Sequence, residues 1–268
     1  MGSIGEFEAS KYSIVSKQDK CGTILNIKVM SNRSIVLESI DEPCKNLLRE
    51  VEQKIMIDFE LHDCKQYDFQ VIERDRNRIP TKGRVRYYEP IDSCKITHEL
   101  LHAKCSYVLG YDKVIYQIVE NLTSNTAKIV LNSICASILN QTEHFIIFSA
   151  YKNMGYDENK FVESVVLDQN EWDNFLKTYN RTKISIQDVH SLLIAFHHIM
   201  LFPIDNRFSS HIKQLKHTER ELWEAFKKFK HKLPKMESLG NDVYPLDEAY
   251  EYLFNQINLW CEKHVDKK

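Results

Sequence analysis

The stretch "ITHELLHAKC", Ile96 to Cys105, places two histidines four positions apart, with a glutamate directly after the first. On a helix, positions i and i+4 share a face, so the imidazoles of His98 and His102 can reach one metal ion. Glu99 is rotated by about 100° from His98, still on the side where a metal-bound water would sit. These are the parts of metal-assisted hydrolysis. Zinc keeps a coordination position open, brings the pKa of bound water toward about 7 and polarises a carbonyl. A neighbouring carboxylate then takes the water's proton and delivers it to the leaving amine. Leu100 and Leu101 lie inside the motif, and Ile96, Ala103 and Cys105 surround it, so the helix should be mostly buried. Two histidines and a glutamate buried without a partner would be costly, which favours a metal site over an ordinary amphipathic helix.

The elements around the motif must position it. Asp92 or Ser93 can cap a helix running to about Leu109, with Gly110 as its stop. Upstream, Thr23–Met30 and Ser34–Ser39 flank "SNR" and predict a β-hairpin. A helix is expected from Pro43 to Leu61, then strands over Tyr67–Arg74 and Arg84–Glu89 joined by the polar turn "DRNRIPTKG". Downstream the character is helical: a short helix in "DKVIYQIVENL", and a long apolar one from Asn125 to near Gly155. Another helix opens on a capping box of Ser185 with Asp188. Two more lie in "HIKQLKHTERELWEAFKKFKHKL" and "PLDEAYEYLFNQINLWCEKH". The expected fold is α+β and mainly helical, with a small antiparallel or mixed N-terminal sheet beside the motif helix. Residues 1–155 form the catalytic core and 156–268 a helical lobe that can belong to the same domain.

Composition agrees with this. In 268 residues only seven are glycine, which disfavours a turn-rich β architecture. The net charge of -2 exerts no general pull on nucleic acid or acidic membranes. Seven scattered cysteines without a C-x-x-C pair suit reduced thiols and a cytoplasmic setting. No apolar run spans a bilayer and no basic-plus-apolar leader opens the chain, though "MGSIGEFEAS" reads as a remnant of expression.

The H-E-L-L-H run resembles the H-E-x-x-H pattern of zinc metallopeptidases, the zincins. The three-histidine metzincin pattern is excluded because Val108 stands where its third histidine would be. The resemblance is to the gluzincin type, which implies a glutamate ligand on a later helix. Glu143 in "LNQTEHF" is the first choice, with His144 and Glu120 as alternatives. In zincins the strand before the motif helix lies along the cleft and pairs with substrate backbone. This implies substrate contacts from Arg84, Arg86, Tyr87 and Tyr88. The order of elements over roughly 43–155 is similar to that of small cytosolic peptidases of the ImmA/IrrE type.

A hydrolase of this kind needs a donor for the developing oxyanion. Tyr151 is the leading choice, ahead of Tyr87, Tyr88, His190 and His197, while Asn140 and Asp112 could orient an imidazole. The lysines of "KKFKHKLPK" follow a helix with an apolar stripe of Leu215, Leu222, Phe226 and Phe229, and read as a solvated helix end. Nucleic acid is therefore disfavoured as a partner. The expectation is a cytoplasmic zinc (Zn2+) peptidase acting on a protein or peptide, with Glu99 as general base. The competing expectation is a non-catalytic zinc module that binds a partner protein or nucleic acid.

Overall fold

The structure, a computed structural model, describes residues 31–63, 66–77, 79–109, 114–162, 169–201, 209–239 and 246–266. Ser31 accepts a hydrogen bond from the Ser34 N–H and starts helix α1 (Asn32–Ser39). The segment Ser34–Ser39 is thus helical, not the expected strand. Its β-branched residues favour a strand, but the Arg33–Glu52 pair (2.6 and 2.7 Å) and the buried Val36 hold it as a helix. Tertiary contacts override a weak propensity here. The other half of that expected hairpin, Thr23–Met30, lies outside the described residues.

Helix α2 (Glu42–Glu52) is capped by Asp41 and carries Pro43 in its first turn. It stops well before Leu61, the end expected for it. Strand β1 (Met56–Leu61) follows, with Ile57 and Phe59 turned inward and Asp58 and Glu60 outward. The period of two, not its apolar content, decides that segment. Strands β2 (Asp68–Arg74) and β3 (Pro80–Tyr87) complete a mixed sheet of order β1-β3-β2. β1 is parallel to β3, and β2 is antiparallel to it. On the outer face Lys82 pairs with Asp58 at 3.0 Å, and Arg84 and Arg86 each meet Glu60 at 3.1 Å. The inner face of β3 carries Gly83, Val85 and Tyr87. Gly83 has a steric reason: a Cβ there would lie 2.4 Å from the Phe69 ring.

Helix α3 (Ser93–Val108) carries the motif and starts where expected, the Asp92 carboxylate accepting the Cys94 N–H at 2.9 Å. Its buried residues pack against α2, β2 and β3 on one side. On the other side lies α5 (Asn125–Asn153), 29 residues and about 44 Å long. Gly155, at φ 89°, ends that stretch in the left-handed region that glycine adopts freely. Between them, α4 (Val114–Glu120) packs on α5.

The remaining helices are α6 (Glu158–Val162), α7 (Gln169–Thr178), α8 (Ile186–Leu201), α9 (Ser209–Thr218), α10 (Arg220–Lys232) and α11 (Asp247–His264). The Ser185–Asp188 box forms in both directions, with Ser185 N–H donating at 2.8 Å and Asp188 N–H at 3.1 Å. The stretch from His211 to Leu233 is broken at Glu219. Its buried carboxylate accepts from Tyr179 Oη (2.7 Å) and Trp260 Nε1 (3.0 Å) and forms an ion pair with Arg181 Nε at 3.3 Å. Helices α8 and α11 pack on α5, and buried side chains from Val36 to Cys261 form one contiguous core across position 155. Among the described residues the five cysteines are free thiols, and no helix is long and apolar enough to cross a membrane.

Candidate metal centre

Helices α3 and α5 cross with the motif histidines facing Glu143 and His144. His98 Nε2 lies 3.1 Å from His102 Nε2 and 3.1 Å from His144 Nε2. One ring nitrogen carries either one N–H or one lone pair, so it cannot satisfy both contacts as hydrogen bonds. A cation shared by three lone pairs can. Tetrahedral zinc with Zn–N near 2.0–2.1 Å sets its nitrogen ligands ~3.3 Å apart, close to the spacing found here. His98, His102 and His144 could therefore hold a metal ion.

The trio that could hold a metal ion includes His144 where Glu143 was expected. The Glu143 carboxylate instead meets His102 Nδ1 at 2.6 Å. With the proton on Nδ1 donated to that carboxylate, Nε2 would turn its lone pair toward the centre, the carboxylate–histidine arrangement that orients metal ligands. Neighbouring positions on a helix point about 100° apart, so only one of Glu143 and His144 could face the centre directly. Glu120, the other alternative, is exposed at the end of α4 and does not join the cluster.

Burial and charge set the protonation of the group. Burial, reinforced by the neighbouring imidazoles, pushes His98 and His144 well below the usual histidine range, so both are neutral and ready to ligate. For His102 burial acts in the same direction, but the hydrogen bond and charge of Glu143, with Glu99, outweigh it and raise the pKa. Burial raises Glu99 to about 7, against the influence of His102 and of the Phe69 N–H that its carboxylate accepts. Phe161 of α6 lies over the rings of His98 (4.7 Å) and His144 (5.7 Å), shielding the far side of the centre.

The three histidines, Glu99 and Glu143 line a cleft of about 800 Å³ between α3 and β2. Tyr151 and Asn140 line it too. The Tyr151 hydroxyl is hydrogen-bonded to the Cys94 sulfur, and burial raises its pKa far above the usual phenol range, so it stays protonated. The four residues expected to contact substrate lie elsewhere. β3 is the central strand, and Arg84 and Arg86 are spent on Glu60. Tyr87 is fully buried, and Tyr88 binds Lys95, so none of the four lines the cleft. The cleft strand is β2, an edge strand, through Asp68, Phe69 and Val71. His197 is buried beside Thr142 at 3.4 Å, and neither it nor His190 lines the cleft. Asp112 and Gly110 lie outside the described residues.

Sequence reasoning missed Cys94, Lys95 and Phe161. The first two stand four and three positions before His98, so helical spacing could have pointed to them. Phe161 carries no local signal. No protein-family model matches this chain, and no curated protein or solved structure matches it either.

Proposed function

We propose that this chain is a zinc-dependent peptidase that hydrolyses peptide bonds in protein or peptide substrates of the cytoplasm. One observation carries the reading: three histidine Nε2 atoms converge in a cleft that also holds a buried carboxylate, Glu99, with its pKa raised to about 7. A donor set of three imidazoles, one of them held by a carboxylate, suits zinc better than calcium or magnesium, which take oxygen ligands. Zinc held there would supply Lewis acidity, acidifying a water and polarising the scissile carbonyl.

The rest is the work of the chain itself. Glu99 takes the proton of the attacking water and returns it to the leaving nitrogen. A carboxylate with a pKa near neutrality does both efficiently, because it neither holds nor releases the proton too strongly. The Phe69 N–H keeps that carboxylate in place. The edge strand β2 offers backbone groups to an extended substrate, and the protonated Tyr151 hydroxyl would turn from Cys94 to donate to the developing oxyanion. Phe161 limits water at the back of the imidazoles.

The test compares the zinc-loaded protein with Glu99→Gln in cell lysate, reading new peptide termini by mass spectrometry and bound zinc by elemental analysis. One zinc per chain is expected in both proteins, with cleavage slowed about 10²–10⁴-fold in the variant. Cleavage unchanged by Glu99→Gln would sink the reading.

A further inference from the structure

The metal cleft carries an ordered positive charge at one end. Lys95 leaves α3 three positions before His98 and four before Glu99, on the same face and about one turn closer to the start of the helix. Its ammonium donates to Tyr88 Oη at 2.9 Å and sits 5.3 and 5.7 Å from the ring centroids of Tyr88 and Tyr67. The two rings meet edge to face at 4.9 Å. Tyr67 is itself pinned, its hydroxyl donating to the Tyr88 carbonyl at 3.0 Å and accepting the Asp92 N–H at 3.1 Å. A flexible lysine is thus held in one place, half-buried in the cleft wall.

The charge of Lys95 is unmatched. Among the described residues no carboxylate pairs with it, whereas Lys160 nearby pairs with Asp92 at 3.3 Å. Lys82, Arg84 and Arg86 on the outer face all have acidic partners too. A cation fixed against two aromatic faces and left without a counter-ion is suited to receive one. Two other cations line the cleft: Lys160, and Arg74 at the opposite end of β2 from Asp68, six residues along the strand.

We infer that Lys95 binds a carboxylate of the substrate close to the scissile bond, so that the cleft selects chains bearing an acidic side chain or a free C-terminus at that end. This rests on the peptidase reading for what the bound chain undergoes. One helical turn is about 5.4 Å and an extended chain advances about 3.3 Å per residue, so the carboxylate belongs one or two residues from the cut.

The experiment uses full-length, zinc-loaded Glu99→Gln protein and three pools of fluorescein-labelled octapeptides on an alanine scaffold. In the first pool a single Glu walks through every position over a C-terminal amide. The second carries Gln in its place, and the third carries Gln with a free C-terminal carboxylate. Fluorescence anisotropy reads Kd. One of the two carboxylate pools should bind about tenfold tighter than the neutral one, a gap of about 1.4 kcal/mol. Adding Lys95→Gln should shrink that gap below twofold, while Lys95→Arg keeps it. Which pool gains identifies a side chain or a chain end as the source. Equal binding of all pools, no binding, or a preference untouched by Lys95→Gln in a protein that keeps its zinc and Tm would overturn the inference. Turnover is read separately with the wild-type protein. A carboxylate preference without any cleavage refutes the peptidase reading and leaves the role of Lys95 standing.

Discussion

Exchanging His144 and Glu143 in turn tests the geometry of the centre. Three imidazoles that share a zinc-binding free energy of about 10–16 kcal/mol contribute on the order of 4 kcal/mol each. His144→Ala should therefore weaken zinc roughly a thousandfold. Glu143→Gln keeps the shape of the side chain and an oxygen that can still accept the His102 Nδ1–H, so it should cost only about 10–100-fold. The two variants should also differ in pH dependence. Zinc must displace a proton from His102, whose pKa is raised by Glu143, so wild-type affinity falls as pH drops through that raised value. Replacing Glu143 removes the cause of the rise and with it part of the proton competition. The gap between Glu143→Gln and wild type should then narrow toward acid pH. The gap for His144→Ala should not narrow this way, because His144 is held neutral by burial. Competition titration with a chromophoric chelator between pH 5.5 and 8 measures both. A loss with Glu143→Gln as large as that with His144→Ala, and constant with pH, would mean that the carboxylate itself ligates and that the reasoning is wrong.

Two further outcomes follow from packing and burial. Gly83→Ala places a methyl 2.4 Å from the Phe69 ring in the strand that donates to Glu99, so it should destabilise by about 1–3 kcal/mol in urea unfolding and slow cleavage as well. Burial lowers His198 to about 4, so the folded protein excludes a proton that the unfolded chain accepts near 6.5. In zinc-free protein, stability from this residue is present above about pH 6.5 and lost as pH falls toward 4. The full loss is roughly 3 kcal/mol, and His198→Asn should flatten that slope in urea titrations.

The helices of this chain are the most legible part of its sequence. α3 is announced by Asp92, α8 by the Ser185–Asp188 box and α5 by its apolar length, and all three form where local chemistry places them. The N-terminal third was harder to read because its outcome depends on partners distant in sequence. α1 is helical through contacts of Arg33 and Val36 with residues that follow it. The apolar content of 56–61 fits either period until β3 pairs with it. Strand order is invisible locally as well. The strand nearest the motif in sequence became the centre of the sheet, which left β2 to border the cleft.

The site shows the same division between what a helix repeat dictates and what a crossing angle decides. The spacing of His98 and His102 on one helix face is intrinsic, so two of the three clustered histidines were legible from α3 alone. The third depends on how α5 is rotated about its own axis when it meets α3, and that rotation is set by the whole buried stripe from Ala127 to Tyr151. A carboxylate in an apolar helix needs a counter-charge, which made Glu143 the natural choice of ligand. The structure satisfies the same need one atom further out, through His102 Nδ1, and so frees the adjacent position for an uncharged donor. A metal held by these three imidazoles, with one carboxylate behind them, would have no charged ligand in its inner sphere. Zinc bound there would retain more of its own charge, and with it more acidity to impose on a water, than it would beside a directly bound glutamate.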